Sequence, residues 1–395
     1  MRLKLALWST LFLMGLGAGP TLARPAVDVR AGIDELLDHP PRALLGKRLG
    51  LITNRSAVDH TGHSDIDRLV ADSRFHLVRL FAPEHGIRAD HQGSIDNGRD
   101  SVTGLPVVSL YGPVKRPTRA MLEGIDALLF DIQDVGARFY TYQSTMALAM
   151  QAAHEAGLPF YVLDRPNPIT GRSVEGALLD PRFASFVGYY PIPVRHGLTL
   201  GELARLYNRE FGIGCDLTVI TLAGWRRGMW FDQTGLPWVN PSPAMRSPTE
   251  AMLYPGVCLF EATNADCRVG EHPFEKVGAR FIDGRQYAAA LVGHRLPGVT
   301  FVPFHEAGVS GAQLIVTDRD AFEPVLTGLV MVAEAHRLYS DQFRIEAHGF
   351  DQMVGASWVR ERLLKGDRPE AIATAWHAQE AAFERMRLPY LLYGP

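Results

Sequence analysis

Apolar positions along the first half of the chain fall into two alternating patterns. Leu49–Thr53, His76–Ala82, Ala127–Asp131 and Phe160–Asp164 are short apolar runs of strand length. Between them the spacing is helical. Ile33, Leu36 and Leu37 mark a helix in Val29–His39, and Ile66, Leu69 and Val70 mark a second. Met121–Ile125 belongs to a helix starting after Pro117, and Ser144–Ala156 forms a long one stopped by Gly157. Apolar strands alternating with amphipathic helices predict βαβ units, hence a parallel sheet covered on both faces. Thr199-Leu-Gly-Glu202 reads as a capping box opening a helix with Leu203, Leu206 and Tyr207, and Leu217–Leu222 follows as a strand. Pro237–Pro248 reads as an extended segment and a candidate boundary. Beyond it, Phe301–Phe304 and Gln313–Thr317 look like strands, with helices over Ala321–Tyr339 and Ile372–Met386. The expected fold is therefore α/β, with residues 24–243 forming a parallel-sheet domain and 244–395 a smaller α+β domain.

Residues 1–23 stand apart. Arg2 and Lys4 precede an apolar run from Leu5 to Ala18, and Thr21-Leu22-Ala23 offers small residues for cleavage. This is the layout of a secretory signal peptide, and the run is short for a membrane span, which needs ~20 apolar residues. An exported product, periplasmic or secreted and without stable membrane insertion, is expected. The 395 residues are 47% hydrophobic and 21% charged, which excludes disorder and suggests two domains. Forty basic residues against 43 acidic ones make no basic stripe, so nucleic acid is not an expected partner. Cys215, Cys258 and Cys267 are an odd set, and the spacing of the last two gives no strong reason to pair them. CxxC, HExxH, P-loop and GxGxxG motifs are all missing, so neither a metal nor a cofactor is implied.

In an open parallel sheet, ligands bind beyond the carboxyl ends of the strands. Here those ends carry Asn54-Arg55-Ser56, then Glu84-His85-Gly86-Ile-Arg88, then Asp131, Gln133, Asp134 and Arg138, then Asp164-Arg165-Pro-Asn167. Each group has a plain structural reading as well. Glu84-His85 fits a surface turn, Asp131 and Asp134 fit helix caps, and Arg138 fits a helix-surface ion pair with Asp134. Tyr140 and Tyr142 fit core positions. Together, carboxylates interspersed with Arg, Asn, Gln and Tyr suit sugar chemistry, in which a carboxylic acid protonates the leaving oxygen and a second group completes the reaction. No GxSxG elbow supports a serine hydrolase, and His85, His91, His196 and His272 are scattered. A non-catalytic sugar-binding protein and a metal-dependent hydrolase are the competing classes.

The strings LFAPEHGIRAD (80–90), LLFDIQDVGARFYTYQSTM (128–146), VLDRPNPITG (162–171), SFVGYYPIPVRHGLTLGELA (185–204), LYPGVCLFEATN (253–264) and HPFEKVGA (272–279) closely resemble the NamZ-type exo-β-N-acetylmuramidases. The resemblance runs from about Gly50 to the C-terminus. It implies a Rossmann-like N-terminal domain bearing the active site, with a smaller C-terminal domain completing the cleft. It also implies release of N-acetylmuramic acid (MurNAc) from the non-reducing end of peptidoglycan fragments, whether disaccharides or glycan chain ends.

On this resemblance Glu84 is the acid or base, with His85 beside it and Glu271 as a second carboxylate. Asn54, Arg88, Asp131, Gln133, Asp134, Tyr140, Tyr142, Asn167 and Glu175 are assigned to the sugar. A planar guanidinium matches the lactyl carboxylate of the substrate, and Arg138, Arg246 and Arg268 are the candidates. Two departures stand out: Glu175 replaces a common Asp, and ATNADCRVGEHPFE replaces a pattern like GTNxSxGRGTxxPFE.

Overall fold

The computed structural model describes residues 29–87 and 97–395. The expected signal peptide, Arg88 and His91 lie outside the described residues. Seven strands form the larger sheet: β1 (Arg48–Thr53), β2 (His76–Ala82), β3 (Gly98–Arg99), β4 (Pro106–Ser109), β5 (Ala127–Asp131), β6 (Phe160–Leu163) and β7 (Leu217–Ile220). Their order is β3-β4-β2-β1-β5-β6-β7, parallel throughout except for the two-residue β3. The chain moves outward from β1 through β2 to β4 and then returns to β5 on the other side of β1. That reversal opens a crevice at the carboxyl ends of β1 and β5.

Alternating side chains explain why both faces are covered. Leu49, Leu51, Leu80 and Leu129 face a layer containing Ile33, Leu36, Ile66 and Leu69. Ile52, Phe81, Leu128 and Phe130 face the other way, onto Met146, Met150, Leu203 and Tyr207. Strands buried on both sides need such unbroken apolar runs. The second face continues into the C-terminal part without a break, through Leu253, Phe260, Leu329 and Val330. There β8 (Lys276–Ala279), β9 (Val299–Glu306) and β10 (Val309–Val316) form an antiparallel sheet of order β8-β10-β9.

The expected α/β architecture with a smaller α+β part is what the chain adopts. Differences are local. Val70 is exposed although Ile66 and Leu69 are buried. The helix expected around Met121–Ile125 spans only Arg119–Leu122, because Gly124 turns with φ 79°. The extended segment ends at Ser247, whose hydroxyl caps a helix over Pro248–Val257. Cys215, Cys258 and Cys267 are buried free thiols. Among the described residues no helix is long and apolar enough to cross a membrane.

Candidate active site

A cleft of about 270 Å³ lies over the carboxyl ends of β2, β4 and β5. Glu84 and His85 enter it from the turn after β2. His85 and Gly86 are both left-handed, with φ 68° and 78°, and the Gly86 amide closes the turn on the Pro83 carbonyl at 3.0 Å. Two successive left-handed residues reverse the chain sharply, so Glu84 stands above the sheet rather than in its plane. A non-glycine residue held there is the kind of local strain that clusters at functional sites.

Other segments complete the walls. Tyr111 follows β4. Phe139, Tyr140 and Thr141 precede the helix Tyr142–Ala156. Ser242 comes from the extended segment before the helix Pro248–Val257, and Tyr254, Glu261, Arg268 and Phe274 from the C-terminal side. Tyr254 packs edge-on against both Tyr140 and Phe274, with ring centroids 5.6 and 4.8 Å apart. Such an aromatic wall gives a sugar ring an apolar face to lie on, while the carboxylates meet its polar edge.

Glu84 is held by the Thr141 hydroxyl, which donates to its Oε2, and Tyr111 stands beside it in the cleft. Burial, with this carboxylate alongside, pushes the Tyr111 phenol up to about 12. It therefore stays protonated as a donor. The second carboxylate in the cleft is Glu261, on the short 3-10 turn Cys258–Ala262. Arg268 donates to one oxygen of Glu261 through both Nε, at 2.9 Å, and Nη2. Its guanidinium also lies 5.7 Å from the Phe274 ring centre. Nε and Nη2 serve Glu261, and Nη1 has no hydrogen-bond partner among the described residues.

Of the residues assigned from sequence, Glu84, His85, Tyr140 and Arg268 line this cleft. Apart from Arg88, which is outside the described residues, the others lie elsewhere, for physical reasons. Glu271 is exposed and offers its backbone carbonyl to Arg246 at 2.7 Å, so Arg246 braces a loop rather than a substrate. Arg138 is fully buried and spends its guanidinium on the carbonyls of Ala177, Ile192 and Met353. It cannot also clamp a lactyl carboxylate. Asp131 ends β5 pointing below the rim, where Arg165 reaches both of its oxygens at 2.5 and 3.0 Å. Glu175 is paired with Arg195 at 2.5 Å and lines a different cavity.

A buried polar layer supports the cleft from beneath. The Tyr142 hydroxyl, edge-on to Tyr140 at 4.9 Å, donates to the Pro241 carbonyl and accepts from Asn54 at 2.9 Å. Gln133 donates to the carbonyls of Asp134 and Pro166, and Asn167 to that of Leu198. Asp134 accepts from the Gly136 amide at 2.8 Å and faces His196 across 3.9 Å. Burial raises the Asp134 carboxyl to about 7 and lowers the His196 imidazole to about 3, with Arg387, Arg138 and Arg195 adding to the latter. Gly136 (φ 82°) is needed here, since a Cβ would fall 2.6 Å from the Asn167 side-chain oxygen. These residues shape the loop without touching the cleft.

Sequence reasoning missed Tyr111, Thr141 and Glu261. The run Pro106–Ser109 before Tyr111 is a strand only four residues long. Thr141 sits within a quoted motif, and Glu261 within LYPGVCLFEATN, but neither follows a strand directly.

The family described as exo-beta-N-acetylmuramidase NamZ matches this chain twice, its N-terminal model over residues 49–249 and its C-terminal model over 252–393. The chain is 46% identical over 378 residues to a peptidoglycan beta-N-acetylmuramidase NamZ of Bacillus subtilis, covering 92% of this chain and 91% of that protein. Two crystal structures of DUF1343 family proteins from Bacteroides fragilis are similar across 93% of this chain. One has a TM-score of 0.87 at 37% identity, with all of its own chain covered, and the other 0.75 at 29%, with 99% covered.

Proposed function

Because this chain belongs to the exo-β-N-acetylmuramidase NamZ family, we propose that the cleft around Glu84 is where it cleaves peptidoglycan fragments. The protein is a glycosidase that releases MurNAc from the non-reducing end, breaking the β-1,4 bond to GlcNAc. The observation that carries the site is the meeting of two carboxylates, Glu84 and Glu261, with a guanidinium and an aromatic wall in one cleft.

Glycoside hydrolysis needs a proton on the leaving oxygen and negative charge beside an oxocarbenium-like transition state. Glu84 is the general acid in this reading. Thr141 fixes its carboxyl, so the group is oriented before substrate arrives. Glu261 supplies the second negative charge. Arg268, through the Nη1 that Glu261 leaves open, takes the lactyl carboxylate that distinguishes MurNAc from GlcNAc. The charged start and apolar run of residues 1–23 support export, which brings the enzyme to its polymer.

Product analysis by mass tests the activity. MurNAc-GlcNAc is expected to yield free MurNAc and GlcNAc, and the reversed GlcNAc-MurNAc to remain intact. Cleavage of both, or of neither, would rule out an exo-acting muramidase.

A further inference from the structure

Beside the cleft, the helix Pro248–Val257 and the turn leading into β8 bring together three side chains that glycoside cleavage does not use. Glu250 is fully buried. Its Oε2 completes a capping box, accepting from the amides of Ser247, at 3.0 Å, and Arg246. Its Oε1 is buried with no hydrogen-bond partner among the described residues. A buried carboxylate oxygen without a partner is unusual, because desolvation of the charge goes uncompensated.

What faces that oxygen is a set of metal-binding groups. His272 Nδ1 lies 4.0 Å away, and a Glu275 carboxylate oxygen joins them, the three donor atoms lying within 4.8 Å of one another. We propose that Glu250, His272 and Glu275 form a binding site for one divalent zinc ion that clamps the cleft-lining loop to the helix. One imidazole and two carboxylates are a donor set that zinc accepts, with water in the fourth position. Donors around a tetrahedral zinc at ~2.1 Å lie about 3.4 Å apart, so the trio must contract by roughly 1 Å. Glu250 is locked by its cap. His272, 60% exposed, and the half-buried Glu275 are free to make that movement.

The backbone at the site is already anchored. The Glu275 amide bonds the His272 carbonyl at 3.3 Å, and the Glu275 carbonyl accepts from Leu314 of β10 at 2.9 Å. Between them Phe274 holds φ 67° and presents its ring to the cleft. An ion on one side of this turn would fix the aromatic on the other.

Zinc chloride titrated calorimetrically into chelator-treated, dialysed protein tests the site. One ion per chain is expected, with a thermal midpoint that climbs with zinc concentration. His272→Ala and Glu275→Gln, both outside the core, should each weaken binding at least about tenfold and abolish the thermal shift. Glu250 is left intact because its loss would also uncap the helix. No saturable binding, or binding unaltered in both variants, would overturn the proposal.

Discussion

In the proposed reading, discrimination between muramyl and glucosaminyl sugars rests on Arg268. Charged hydrogen bonds contribute about 1.5–3 kcal/mol each. Arg268→Gln is therefore expected to raise KM for β-MurNAc glycosides by roughly ten- to a hundredfold, with a smaller effect on kcat. A substrate whose lactyl carboxylate is methyl-amidated should lose the same factor with the parent enzyme and little more with the variant. Equal losses for both substrates would take Arg268 out of carboxylate recognition. The pair beneath the cleft makes a different prediction. Asp134, at about 7 when folded, lies above its ordinary ~3.9, so its contribution to stability is present below pH 4 and is lost as pH rises through 7. His196, at about 3, lies below its ordinary ~6.5, so its contribution grows from pH 3 to 6.5 and opposes the first. Asp134→Asn removes only the falling arm. Its stability relative to the parent, measured by urea unfolding, should rise between pH 4 and 7, and a constant offset would mean Asp134 is ionised in the fold. The strand-end argument pointed to the edge of the sheet over which the cleft lies but could not tell which side chains clear it. Asp131 is the last residue of β5 and points inward to Arg165. Glu84 lies two residues past β2 and is lifted out by the left-handed turn.

Local pattern located the elements wherever burial is two-sided or a cap is explicit. The strands at 48–53, 76–82 and 127–131 and the Thr199 capping box stand where periodicity put them. The helices that escaped notice carry weaker signals. Pro248–Val257 contains Pro255 and opens on a proline, and Gly284–Gly293 both begins and ends on glycine. Such composition argues against a helix, yet tertiary contact overrides it. Gly256 shows how: helices Pro248–Val257 and Pro324–Leu338 cross so closely that a Cβ there would fall 1.8 Å from the Pro324 carbonyl oxygen, while one on Gly328 would fall 2.3 Å from that of Gly256. Gly256→Ala must separate the two backbones and is expected to lower stability by about 1–3 kcal/mol. The helix also feeds the turn bearing Glu261, so activity should fall with it. A thermal midpoint equal to the parent's would show that the crossing has slack.

At the scale of the whole chain, the cleft exists only because distant segments are pinned together. Arg138 joins the carbonyls of Ala177 and Ile192 to that of Met353, and one apolar core runs from the parallel sheet into the C-terminal helices. Glu84 and Glu261 meet through that packing, not through any local motif, so the sequence carried the second carboxylate without marking it. Glu271, assigned from the family resemblance, is turned to solvent by its loop. The central claim is that the acid held by Thr141 breaks the muramyl bond, and Glu84→Gln, nearly isosteric, tests it most directly. Turnover of a chromogenic β-MurNAc glycoside should fall about 10²–10⁴-fold, with the thermal midpoint unchanged. Parental turnover in a folded Glu84→Gln protein would contradict the account.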